Sequence, residues 1–109
     1  MITERDIEHS FDWLNKNAEP AAKARADRLY LEEFRKTLKA EIMAEHANLK
    51  IGEQEREAYA DSRYKAHLLG YQEAVKRDEW FRWWKGAHEA KIEAWRTMES
   101  SRRGMGKVG

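Results

Sequence analysis

The chain has 109 residues, of which 38% are Asp, Glu, Lys or Arg, with a mean hydropathy of −0.98, one proline and no cysteine. A disulfide framework and thiolate chemistry are excluded, and no run approaches the roughly 20 apolar residues that a membrane-spanning helix needs. The formal net charge is only +1, but residues 1–75 carry 12 Lys/Arg against 15 Asp/Glu and residues 76–109 carry 9 against 5, so positive charge collects toward the C-terminus.

Abundant Ala, Glu, Lys and Arg, with apolar residues recurring at helical spacing, predict an all-α protein built on narrow apolar stripes rather than a disordered chain. Thr3 followed by Asp6 resembles a capping box with a shorter acid at its third position. Ile7, Phe11 and Leu14 then recur every three or four residues, which predicts a short helix over about 3–17. Trp13 lies off that stripe and is expected to pack on a neighbouring chain. Pro20 fits only a helix's first turn, so a second helix is expected over about 20–49, with Leu31, Phe34, Leu38, Ile42 and Leu49 on one face and Arg35, Lys36 and Lys39 among the residues covering the others.

Gly52 reads as a helix terminator, and a short break there favours an antiparallel hairpin. The third helix is expected over about 53–101, interrupted only by Gly70 and Gly86. Its stripe is Tyr64, Leu68, Tyr71, Val75, Trp84, His88, Ile92 and Trp95, with a polar gap at Asp78 and Glu79. At roughly 70 Å this helix would outrun its partner, and an unpartnered amphipathic overhang predicts assembly into a homo-oligomer through Tyr64, Leu68, Tyr71, Val75, Trp84, Ile92 and Trp95. Residues 102–109 read as a flexible basic tail following a single helical domain over 1–101.

Two constellations carry functional weight. Lys76, Arg77, Arg82, Lys85, Arg96, Arg102, Arg103 and Lys107 form a cationic series able to follow a phosphate backbone, and Trp80 and Trp83 offer faces for base stacking. The run Trp80-Phe81-Arg82-Trp83-Trp84 nearly encircles one turn, so it cannot all face one core. The bland alternative makes the tryptophans a protein interface and the cations a solvated face. His46, His67 and His88 are each 21 residues apart, yet no pair has the i, i+4 spacing of a metal-binding helix, so neither metal nor cofactor is expected. Glu89 and Glu93 share a face but read as partners for Lys85 and Arg96. Without a phosphate-binding glycine loop or a nucleophile elbow, the chain does not read as an enzyme.

From Ala90, the sequence Ala-Lys-Ile-Glu-Ala-Trp-Arg-Thr-Met-Glu-Ser-Ser-Arg-Arg-Gly-Met-Gly-Lys-Val resembles the C-terminal signature of small helical proteins encoded in recombination gene regions of tailed bacteriophages, some of them recombination mediators. The resemblance covers about 20 residues, with weaker support from the segment Ala58–Tyr71. It implies an oligomer in the host cytoplasm that binds single-stranded DNA and helps a recombinase displace a single-strand-binding protein. The matching positions are Trp95, for packing, and Arg96, Arg102, Arg103 and Lys107, for contact with DNA or partner. The alternative reading, from a different class, is a non-enzymatic structural or adaptor oligomer.

Overall fold

The structure, a computed structural model, describes the backbone of residues 1–108 and the side chains of residues 1–106. It contains three helices, α1 (Glu4–Glu45), α2 (Ile51–Ala60) and α3 (Ser62–Val108), and no strand among the described residues. The contacts divide into two compact units. One holds Met1–Ala21 and the chain from Trp80 onward; the other is Ala22–Glu79.

α1 opens as its sequence predicts. The Asp6 carboxylate accepts the Thr3 backbone N–H at 2.8 Å, and the Thr3 hydroxyl accepts the Asp6 N–H at 3.2 Å. The Thr3 backbone N–H first, then the Thr3 hydroxyl, which donates to the same carboxylate at 3.1 Å, hold the Asp6 carboxyl below its usual range.

The expected break at Pro20 is absent: Pro20 lies inside α1, and the helix ends at Glu45 rather than near Leu49. A proline in a helix interior forfeits one backbone bond and costs about 3 kcal/mol. The helix persists because burial keeps its phase across the proline. Ile7, Ser10, Leu14, Asn17, Ala21, Ala24, Arg28 and Leu31 are all buried or half-buried, at alternating steps of three and four.

The hairpin turn is His46–Lys50, where the Leu49 N–H donates to the His46 carbonyl at 2.9 Å. Gly52 falls within the first turn of α2 instead of terminating α1, and no described residue has positive φ. The third helix expected over 53–101 is interrupted at Asp61, whose backbone is extended (φ −69°, ψ 138°). Asp61 caps α3: its carboxylate accepts the Arg63 N–H at 2.7 Å and pairs with the Arg63 guanidinium at 3.0 Å. Arg63 donates in turn to Glu45, tying the cap to the end of α1. Downstream, α3 continues through Arg102 and Arg103, where an irregular tail was expected. Glycine at 104 and 106 costs only about 1 kcal/mol each, and Arg102 pairs one turn back with Glu99 at 3.2 Å. Of the expected tail, Gly109 and the side chains of Lys107 and Val108 lie outside the described residues.

α3 shows the same seven-residue repeat as α1. Tyr64, His67, Tyr71, Ala74, Asp78, Phe81, His88, Ile92, Trp95 and Glu99 lose solvent, whereas Leu68 and Trp84, expected on the stripe, are 45% and 42% exposed. The supposed polar gap is therefore part of the seam. Asp78 is 2% exposed and accepts the Arg28 guanidinium at 3.0 Å, with Glu79 receiving the same group at 2.8 Å. Those two partners, Glu79 first, hold the guanidinium above its ordinary pKa.

Within Ala22–Glu79 the core is Leu38, Ile42 and Ala58, with Phe34, Met43 and Tyr64 packed against it. α1 and α3 run antiparallel there: Arg28 meets Asp78 while Leu31 meets His67, whose Nε2–H donates to the Leu31 carbonyl at 2.8 Å. In the other unit the two helices are again antiparallel, with Trp13 beside Trp80 and Ser10 beside His88.

Candidate nucleic-acid interface

The unit containing the helix ends is built around one buried polar pair. His88 and Ser10 are 6% and 0% exposed, and His88 Nδ1 and Ser10 Oγ share a hydrogen bond at 2.8 Å. Phe81 lies seven residues before His88, at the same seam position, and is 8% exposed. Trp13 from α1 stacks on the His88 ring with centroids 4.7 Å apart, a contact within its own chain that leaves it half-buried. His9 meets the His88 ring edge-on at 5.9 Å.

Burial first, then the charge of Lys91, then His9, push the His88 imidazole below its ordinary pKa. Burial disfavours the imidazolium, and the ammonium of Lys91 disfavours it further. His88 is thus a neutral seam residue hydrogen-bonded across the helix pair.

The tryptophans separate into two kinds around this centre. Trp80 lies 6.3 Å from Trp13, 5.1 Å from Phe81 and 6.3 Å from Trp84, and Trp84 lies 6.2 Å from His88. Both flank the seam and remain about half exposed. Trp83 is two residues beyond Phe81, about 200° around the helix. It is 77% exposed.

The cations are similarly sorted. Arg82 is exposed on the turn that carries Trp83. Lys85 pairs with Glu89 at 3.7 Å, Arg96 with Glu93 at 3.4 Å and Arg102 with Glu99 at 3.2 Å, all within α3. Such exposed pairs are worth at most about 1 kcal/mol and yield readily to a competing anion. Arg96 and Arg103 also line a shallow groove with Trp95. Lys76 and Arg77 belong to the other unit, where Arg77 lines a cleft of about 410 Å³ with Ala24, Asp27, Tyr30, Leu31, Glu73 and Ala74. Lys107 has its side chain outside the described residues.

The residues expected at an oligomer interface have different surroundings. Tyr64 is already covered by the Leu38–Ile42–Ala58 core and meets Tyr59 edge-on at 5.2 Å. Tyr71, Val75, Ile92 and Trp95 are half-buried, whereas Leu68 and Trp84 are exposed. Sequence reasoning missed Arg28 and Ser10, took Asp78 for a gap in the stripe, and did not single out Phe81 from the aromatic run as the buried residue.

Among the described residues, no group of three or more His, Asp or Glu side chains is placed to hold a metal ion, and no helix is long and apolar enough to cross a membrane. Compared with protein-family models, curated proteins and solved structures, the chain matches none.

Proposed function

We propose that this protein is a noncatalytic accessory factor of phage recombination, an oligomer that binds single-stranded DNA without sequence specificity and assists loading of a recombinase. The observation that carries the reading is the 77% exposure of Trp83 on the turn that also presents Arg82 and Lys85. An indole left outside the core beside cations is what non-specific strand binding uses: bases stack on the ring while the cations neutralise phosphates. Arg96, Arg102 and Arg103 extend the cationic series along the same helix. Assembly of several chains would multiply weak contacts by avidity. The recombination setting rests on the sequence resemblance of the segment from Ala90 to Val108.

Fluorescence-anisotropy titration of a labelled single-stranded oligonucleotide, with the protein's mass in solution recorded alongside, tests this. Affinity should fall steeply with salt, and Trp83→Ala should weaken binding by about five- to 150-fold, the equivalent of one stacked base at about 1–3 kcal/mol. Absence of binding at low salt would overturn the reading. A second reading, an adaptor oligomer, is favoured by the exposure of Leu29, Leu68 and Leu69 at 47%, 45% and 56% in the other unit. It predicts a defined oligomer indifferent to DNA.

A further inference from the structure

The unit Ala22–Glu79 holds a second cationic feature that strand binding at Trp83 does not use. A cleft of about 280 Å³ is lined by Arg35, Lys36, Lys39, Tyr59 and Tyr64. Three cations and two phenols meet there, and no carboxylate is among the lining residues.

The arrangement follows from local geometry. Arg35 and Lys39 stand at i, i+4 on α1, so their like charges face one another across one turn and repel. Lys39 is nonetheless held in place. Its ammonium donates to the Tyr59 hydroxyl at 2.9 Å, lies 4.8 Å from the Tyr59 ring centroid and pairs with Glu55 at 3.6 Å. The Tyr59 hydroxyl, and more weakly Glu55, keep that ammonium above its ordinary pKa, so it is charged across the physiological range. Tyr64 is fixed from the other side by packing on Leu38, Ile42 and Ala58, and the two phenol rings meet edge-on at 5.2 Å.

The cleft wall thus combines an anchored ammonium, two phenols, a second ammonium and a guanidinium. Lys36 has only a loose surface contact to Glu33 at 3.5 Å, with both side chains more than 70% exposed. Because Tyr59 already accepts from Lys39, its own O–H proton remains available to donate. The site is rich in donors and positive charge, and an anion entering it would relieve the repulsion between Arg35 and Lys39. A guanidinium fork matched to tetrahedral oxygens favours a phosphoryl group over a monovalent halide.

We propose that the Arg35–Lys39–Tyr59 cleft is a binding site for a phosphoryl group, carried either by a nucleic-acid backbone or by a small free phosphate. The proposal is independent of strand binding at Trp83, since the two sites lie in different units and share no residue.

The test is titration of the ¹⁵N-labelled full chain, at constant ionic strength, with inorganic phosphate, with a single-stranded oligothymidylate and with sodium chloride as control. Amides of residues 35–39 and 59–64 should shift saturably with phosphate or oligonucleotide and not with chloride. The variant Arg35→Gln/Lys36→Gln, which alters only exposed side chains, should raise the apparent Kd at least about tenfold, a loss of about 1.4 kcal/mol. Saturation by phosphate identifies a free-phosphate site. Saturation by oligonucleotide alone identifies a backbone site, and it should persist in Trp83→Ala, which separates it from the other unit. The absence of a saturable shift with either probe, equal shifts with chloride, or an unchanged Kd in the double variant would overturn the proposal.

Discussion

Ser10 and His88, 78 residues apart along the chain, share a 2.8 Å hydrogen bond at the most deeply buried polar point between α1 and α3 in their unit. The bond crosses the helix pair, so it bears on register as well as stability: a slip of either helix would leave both polar groups buried and unpaired. Ser10→Ala should destabilise the protein by about 1–3 kcal/mol, read from denaturant unfolding. A loss within about 0.5 kcal/mol, the usual range for surface changes, would show that this bond does not matter.

The same pair sets a pH dependence. His88 has a pKa in the folded protein below the unfolded value of about 6.5, through burial, Lys91 and His9 in that order. As pH falls through about 6.5, the unfolded state takes up the proton first, so stability complete at higher pH is progressively lost toward the folded pKa. The Tm should drop between pH 7.5 and 5.5, and the drop should shrink in His88→Gln. Equal drops in both proteins would refute the assignment.

His88 stands on the stripe that periodicity marks, whereas its partner Ser10 does not. Helix content and an antiparallel hairpin follow from propensity and periodicity, and Thr3 and Asp6 cap α1 as expected. The register did not follow, because the seam carries polar residues where apolar ones were sought: Asp78 and His67 on α3, Ser10 and Arg28 on α1. The expected stripe meets the seam at Tyr64, Tyr71, His88, Ile92 and Trp95 and leaves it at Leu68 and Trp84, which are exposed. The signal that marks the true seam is the 21-residue spacing of His67 and His88, which is three whole heptads and places both histidines on one face. Pro20 misled for a related reason, since local preference was outweighed by burial on both sides of it. That some of the run from Trp80 to Trp84 must lie outside the core was legible, because five consecutive positions cannot share one face; that Trp83 is the most exposed of its aromatic residues was not.

The Arg28–Asp78 pair should behave as a buried charge does when one partner is lost. Asp78 is 3% exposed at its side chain and Arg28 26%, so Asp78→Leu strands a guanidinium partly removed from water with only Glu79 left to receive it. In a double-mutant cycle, Asp78→Leu should cost more stability than Arg28→Leu/Asp78→Leu together. Additive single and double effects would show that the two residues are not coupled.

Backbone penalties left in the helices predict stabilising changes. Gly70 and Gly86 are helical, and a Cβ at either would meet nothing within 4 Å. Gly70→Ala and Gly86→Ala should each add about 0.5–1 kcal/mol. Pro20→Ala restores a backbone donor inside α1 and should add up to about 3 kcal/mol. A fall in Tm for Pro20→Ala would indicate that the proline's shape, rather than its cost, is what the fold uses.

Phe81 and Trp83 invert the ordinary expectation that the larger aromatic anchors the core. Phe81 is 8% exposed on the seam with Trp80 edge-on at 5.1 Å, while Trp83 is 77% exposed on the opposite side of α3. Phe81→Ala should therefore cost about 3–5 kcal/mol and Trp83→Ala no more than about 0.5, both measured by chemical denaturation of the purified variants. Because Trp83→Ala should leave the fold intact, any loss of oligonucleotide affinity in that variant reports on contact with the strand and not on unfolding. A Trp83→Ala protein as unstable as Phe81→Ala would mean that the exposed indole is covered in solution, and the natural cover would then be another copy of the chain.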